Sequence, residues 1–406
     1  MQNAIELIED GGVTTPRGFL AGAVHVGVRT DWDKLDVALL YSERQCAAAA
    51  MFTQNKLQAA PVVISRRHLS SGRARAVVVN AGCANAATGE KGLDDAVRMA
   101  QLAGAKLGVD PHEVAVASTG VIGTLLPMDR IAEGIERIEL SAGGGLDFAT
   151  AIMTTDTRPK HAAATAGVGW SIGGAVKGVG MIHPNMATML CFLTTDAPVA
   201  QPFLQSALKA AVDASFNMVD VDSDTSTNDM AIIMANGLAG GESIDASHPQ
   251  SSLFSATLTA VCISLARAMV EDAEGGSKVI EARVEGAASQ EDARRAAREI
   301  VRSLGVKTAV YGHDPNWGRV LAAVGNSGAH MQLERMALYL RSPDGGEVCL
   351  FRDGAPQVYD RAQAKACLAP RDVCFRLEMG LGKGSATAWG SDLTEDYVRL
   401  NSLYTT

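Results

Sequence analysis

Short apolar runs alternate with longer stretches of helical periodicity along this chain, and the alternation predicts a mixed α/β protein. Runs at 35–40, 62–64, 76–80, 114–117 and 231–234 are brief and rich in valine, isoleucine, leucine and alanine, and predict strands. Met189-Leu190-Cys191-Phe192-Leu193 is apolar throughout and suits a strand covered on both faces. Further strands are expected at 348–351 and 373–379. Helical spacing shows in Leu93, Ala96, Val97, Ala100 and Leu107, with Gly108 as terminator. It shows again at 203–212 and 253–270, where Leu258, Val261, Cys262, Leu265 and Met269 recur. Ser289 and Asp292 open another helix in the manner of a capping box, with aspartate where glutamate or glutamine is usual. That helix is expected to run to about Gly305. Chain ends normally fray, but this tail carries Trp389, Tyr397, Tyr404, Val398, Leu400 and Leu403 and is expected to dock.

With 406 residues, 47% hydrophobic and 20% charged, the chain can bury a sizeable core in two or three domains, or in one body with an appendage. Its formal net charge of -9 and the absence of a dense basic patch argue against nucleic acid as a partner. Arg294, Arg295, Arg298 and Arg302 share a helical stretch with acids and read as a solvated face. Seven cysteines without a CxxC pair suit reduced thiols in a cytosol rather than disulfides or zinc. The first ten residues have no signal-peptide pattern, and no uninterrupted apolar segment spans a bilayer. The expectation is a soluble, cytoplasmic protein with no metal and no bound cofactor. The acidic run 220–229 lacks the EF-hand spacing, and Gly380-Leu381-Gly382-Lys383-Gly384 lacks both nucleotide fingerprints.

Candidate chemistry gathers where a glycine-punctuated loop, 177–188, meets the apolar run after it. Thr188 follows the small Ala187 at that junction. A threonine there can attack the preceding carbonyl, cut the chain, and expose an α-amine of pKa roughly 8 beside its own hydroxyl. On local grounds alone a strand-initiating threonine is the better explanation of the residue. Ser118-Thr119-Gly120 ends the 114–117 run. A hydroxyl beside flexible backbone is what an oxyanion hole needs, though a plain turn has the same composition. Thr154-Thr155-Asp156, Lys177 and Glu274 read locally as a turn, a surface lysine and a loop acid.

Several of these segments together resemble one family. The run K-G-V-G-M-I-H-P-N-M-A-T-M-L, ending at Leu190, resembles the cleavage signature of the ornithine acetyltransferases, the bifunctional glutamate N-acetyltransferases of arginine biosynthesis. So do Ser118 to Gly123, the T-T-D segment, the 220–229 run, D-x-E-G-x-x-K at 272–278, and the tail. The 80–89 segment departs from the family pattern only at variable places, whereas Ser223 stands where the family has glycine.

The resemblance implies an α/β fold of layered helix–sheet–sheet–helix type, with smaller α/β lobes from about residue 240. It implies self-cleavage into an α chain, 1–187, and a β chain, 188–406. Thr188 would be nucleophile and cleavage site, Thr119 and Gly120 the oxyanion hole. Thr155, Lys177, Thr188, Glu274, Asn401 and Thr406 would bind substrate. The implied reaction moves acetyl from N2-acetylornithine to glutamate, with acetyl-CoA admitted as a further donor. Two α and two β chains would associate. Two other readings stay open: an N-terminal-nucleophile aminopeptidase of related fold, and an uncleaved small-molecule binding protein.

Overall fold

The computed structural model describes residues 5–30, 33–183, 189–341 and 345–403. The first part of the chain runs β1 (Glu6–Ile8), β2 (Phe19–Val24), β3 (Val37–Phe52), α1 (Ala60–His68), β4 (Arg73–Cys83), α2 (Gly89–Leu107) and β5 (Val114–Val121). It continues through α3 (Met128–Arg137), α4 (Gly145–Ala151), β6 (Lys160–Thr165) and β7 (Ser171–Lys177). The middle holds β8 (Leu190–Thr195), α5 (Gln201–Ala214), β9 (Val219–Asp220), β10 (Met230–Ala235) and α6 (Ser251–Glu271). The remainder is β11 (Val279–Ala287), α7 (Gln290–Arg302), α8 (Leu304–Tyr311), α9 (Trp317–Asn326), β12 (Ala337–Arg341), β13 (Glu347–Arg352) and β14 (Ala355–Pro356). It ends with α10 (Arg361–Leu368), β15 (Asp372–Glu378), β16 (Gly384–Ser391) and α11 (Glu395–Leu403).

The long strand β3 organises the first sheet. Its register on β4 shifts between Tyr41 and Cys46. Before that point it pairs with β2 and β4; beyond it, Cys46 and Ala47 still pair with β4 and Ala47–Phe52 pair with β10. Among the described residues the order is β1-β6-β7-β8-β10-β3-β4-β5, with β2 also on β3. Because side chains alternate along a strand, each half of the sheet has two apolar faces. Val37 and Leu39 pack with the helices α1 to α3, while Ala38 and Leu40 join Leu190, Phe192, Met230 and Ile232 in a second cluster. On the far half, Cys191, Leu193, Ala231 and Ile233 pack with α5 and α6. The body is therefore helix, sheet, sheet, helix, the layering expected for its fold class.

A second sheet, β14-β13-β12-β15-β11-β16-β9 among the described residues, lies beyond α6. Apolar residues of α6, such as Leu258, Val261 and Leu265, belong to the same core as Ile280 and Ala282 of β11. Helix α7 packs on β11 and β16 and covers that sheet. By length and composition α6 could cross a bilayer, which corrects the expectation that no segment could. Here it is a core helix, with Phe254, Leu258, Val261, Leu265 and Met269 fully buried.

Four other expectations change. Residues 62–64 form α1, not a strand, because Pro61 favours the first helical turn and basic residues close the last. The helix capped by Ser289 stops at Arg302, and Ser303 caps a separate α8. β5 runs on through Ser118-Thr119-Gly120, expected as a loop. The tail docks as expected at Trp389, which is buried in β16, and through Tyr397 and Asn401 of α11, which line a cavity, but not through Val398, Leu400 and Leu403, which are exposed.

Candidate active site

Strand ends converge at one edge of the first sheet. β4 and β5 run parallel, and Ala81 and Gly82 face Thr119 and Gly120. Gly120 has φ 130, and a Cβ there would stand 2.3 Å from the carbonyl carbon of Gly82. Only glycine allows that approach. β7 ends at Lys177, which pairs with Leu190 at the start of β8. Lys177 is buried, and its ammonium donates to Thr154 Oγ1 at 2.8 Å and to Thr119 Oγ1 at 3.2 Å. Burial pulls its pKa below the ordinary lysine value, against the opposing pull of Asp156.

Glu274 lies just past α6, and its N–H donates to Val179 O at 3.0 Å. Its carboxylate accepts from Thr155 Oγ1 at 2.6 Å and from Asn401 Nδ2 at 3.0 Å. Thr119, Gly120, Thr155, Lys177, Glu274 and Asn401 thus line one cavity of about 120 Å³. Ala187, Thr188 and Thr406 lie outside the described residues. His313 to Arg319 belong to the turn before α9 and its start, and do not reach the cavity.

Sequence reasoning passed over several residues that build this site. Asp156 is buried, accepts from Lys160 Nζ at 2.7 Å and from Gly178 N at 2.9 Å. Burial alone would raise its carboxyl, but Lys177 and Lys160 hold it at about 2. Lys160 also donates to Asp272 Oδ2 at 2.6 Å, and Asp272 accepts from Thr157 N at 3.0 Å. This buried network joins the segment carrying Thr155 to the segment carrying Glu274. No local pattern signals this network, because residues 156–160 are not helical and the i,i+4 spacing of Asp156 and Lys160 has no helical meaning there.

The acidic run 220–229 contributes as well. Asp222 lines the cavity and accepts from Met181 N at 2.6 Å and Ile182 N at 2.9 Å. Burial raises its carboxyl to about 6. Asn228 Nδ2 donates to Ala84 O at 2.6 Å and Ser118 O at 2.8 Å, tying the run to the β4 and β5 ends. Asp229 is buried and accepts from Met189 N at 3.1 Å. Its other oxygen has no hydrogen-bond partner among the described residues, and burial raises its carboxyl well above the ordinary value. Ser223 adopts φ 67, so a serine holds the left-handed position where the resembled family has glycine.

The arrangement can hold an amino acid by both charges. An ammonium donor and a carboxylate acceptor face one small cavity, with threonine hydroxyls between them.

Residues 20–406 match the model of the ArgJ family. The chain is 48% identical to the arginine biosynthesis bifunctional protein ArgJ of Dehalococcoides mccartyi (strain CBDB1), covering 100% of both chains. It is 50% identical to the protein of that name from Symbiobacterium thermophilum, covering 98% of this chain and 99% of the other. Among solved structures, it is similar to an ornithine acetyltransferase of Mycobacterium tuberculosis complexed with ornithine. That match has 38% identity and a TM-score of 0.43, and covers 46% of this chain and 100% of the other.

Proposed function

The chain belongs to the ArgJ family, and from that premise we propose that it transfers acetyl from N2-acetylornithine to glutamate through an acetyl-threonyl enzyme. It is an acyltransferase of arginine biosynthesis. Thr188 Oγ attacks the acetyl carbonyl while the α-amine freed by cleavage after Ala187 takes the proton. Thr119 and the N–H of Gly120 hold the oxyanion. The amine returns the proton to the departing ornithine nitrogen, and glutamate then takes the acetyl group by the reverse steps. Lys177 holds the substrate carboxylate and Glu274 its ammonium, with Thr155, Asn401 and Thr406 completing the pocket. Acetyl-CoA serves as a second donor to the same threonine.

The observation that carries this reading is the pairing of Lys177 with Glu274 across one cavity. Both substrates are amino acids with a carboxylate and an ammonium, and a site built on such a pair rejects analogues lacking either. Cleavage into 1–187 and 188–406 would not separate the pieces. β8 and β10 lie side by side between β7 and β3, so strands from after the cut are flanked by strands from before it. Two such pairs associating as a heterotetramer is the family expectation carried here.

The test is a trapped intermediate. Enzyme mixed with acetylornithine alone should show the 188–406 piece heavier by one acetyl group, and double-reciprocal plots should be parallel. Thr188→Ala should remain a single chain on electrophoresis. Steady acetate release without glutamate would mean a hydrolase. An uncut, fully active wild-type chain would remove Thr188 from the mechanism.

A further inference from the structure

A second cavity lies across the loop from the first. It measures about 370 Å³ and is lined by His183, Arg295, Arg298, Glu299, Arg302 and the end of α9 at Asn326 and Ser327. Gly180 and Met181 line the first cavity. Two residue steps separate Met181 from His183, a reach of at most ~7 Å, so the two cavities flank one short stretch of chain. Asp220 and Asp222 fix that stretch. His183 Nδ1 is 3.0 Å from Asp220 Oδ2, and Val221 N donates to Ile182 O at 2.9 Å. Asp220 is itself 3.4 Å from the buried Lys307 ammonium.

The three arginines stand at i, i+3 and i+7 on α7, one stripe of the helix. Two have acidic neighbours: Arg295 is 3.2 Å from Glu291 and Arg302 is 3.6 Å from Glu299. Arg298 is half-buried and has no ion pair among the described residues. In a chain of net charge -9, three guanidinium groups against the one carboxylate of Glu299 leave this cavity locally positive. Guanidinium forks match phosphate oxygens in pairs. The stripe is about 10 Å long at 1.5 Å per residue, longer than a single phosphate and suited to several phosphates in a row.

We propose that this arginine-lined cavity seats the phosphorylated nucleotide end of acetyl-CoA while its thioester reaches past residues 181–183 into the first cavity. The proposal rests on the reading of acetyl-CoA as a second donor. In the step it serves, a bond forms from Thr188 Oγ to the acetyl carbon and the carbon–sulfur bond breaks. The hydroxyl proton passes by the α-amine to the departing sulfur, so free coenzyme A thiol leaves. Acetylornithine has no phosphate and does not use this cavity.

The experiment compares wild type with Arg298→Glu and with Arg295→Ala/Arg302→Ala. Each charge-assisted phosphate contact removed typically costs about a factor of 10 to 100, so KM for acetyl-CoA should rise by that much. KM for acetylornithine should not move. An acetyl thioester of N-acetylcysteamine, which lacks the nucleotide, should serve wild type and variants alike. Calorimetry with adenosine 3′,5′-bisphosphate reads the site without chemistry: binding is expected in wild type and lost in Arg298→Glu. Inorganic phosphate at the same concentration should bind far more weakly; equal binding would mean a simple anion site and overturn the nucleotide assignment. A wild type that binds the bisphosphate through Arg298 yet ignores acetyl-CoA would remove the donor reading and retain the nucleotide site. Unchanged bisphosphate binding and unchanged acetyl-CoA KM in both variants would overturn the proposal. Near-native melting temperatures for both variants separate these outcomes from misfolding.

Discussion

A single added methyl group at Gly180 tests whether the position of the Glu274 carboxylate sets substrate affinity. Gly180 is not among the positive-φ residues, so alanine is compatible with its backbone. Its Cβ would stand 2.5 Å from Glu274 Oε2, 2.7 Å from Cδ and 2.9 Å from Oε1. No carbon tolerates such contacts, so the carboxylate must swing away. The Glu274 backbone stays, because its N–H is bonded to Val179 O. The swing breaks the bonds from Thr155 and Asn401 and takes the carboxylate from the place it offers an ammonium. Hydrogen bonds to a charged group are worth about 1.5–3 kcal/mol, so KM for acetylornithine and glutamate should rise about 10- to 150-fold. The fold should survive, since what yields is the far end of a flexible side chain. Gly120→Ala makes the contrast: there the obstacle is Gly82 backbone at 2.3 Å and φ is 130, so that variant should not fold normally. Steady-state kinetics and thermal melts of Gly180→Ala, with Glu274→Gln as control, measure the effect. If Glu274→Gln raises KM and Gly180→Ala, equally stable, does not, the geometric argument fails.

Thr119→Ala removes a hydroxyl that also anchors Lys177, and should lower kcat by ~10²–10³ with a smaller change in KM; wild-type kcat would take Thr119 out of the mechanism. Lys160→Met leaves Asp156 and Asp272 buried without their shared cation, and should cost ~3–5 kcal/mol of stability by denaturant titration; a cost under ~1 kcal/mol would show that the network is not what holds the segment. Asp222, raised to about 6, makes the folded state bind more protons than the unfolded state between roughly pH 4 and 6. Its contribution is therefore present below about pH 4 and lost as pH rises through about 6, so Asp222→Asn should gain in melting temperature relative to wild type from pH 4 to pH 7. A difference that stays flat across that range would contradict the assignment.

What the sequence disclosed depended on how local the physics was. The apolar run at Leu190–Thr195 and the spacing along α2 and α6 are local patterns, and the elements stand where those patterns put them. Residues 62–64 misled because three β-branched residues outvoted the single proline that starts α1. Gly120 lay in a small-residue segment whose strand character comes from β4 alongside, a partner no local window contains. The resemblance supplied the members of the site one by one, but not the groups that hold them. Asp156 and Asp272 are 116 positions apart and meet only through Lys160. Asp222 and Asn228 stood in a run read for calcium spacing, while their partners are backbone groups at Met181, Ile182, Ala84 and Ser118.

The cavity's two charges come from opposite sides of the Ala187–Thr188 bond. Thr119, Thr155 and Lys177 precede it, and Glu274 and Asn401 follow it. Neither side can position its own half. Thr155 is fixed by the Asp156–Lys160–Asp272 network, whose last member sits at the end of α6. Glu274 is fixed in turn by Val179, and α6 by the two sheets between which it packs. A chain cut at that bond therefore keeps a pocket only while the shared sheet stays whole. The interleaving of β8 and β10 between β7 and β3 keeps it whole, because withdrawing either piece would strip backbone hydrogen bonds from both neighbours. Cleavage after Ala187 can then free the Thr188 amine without loosening the groups that line the cavity, which is the condition for the proposed double role of that residue as the site of cutting and then the acyl carrier.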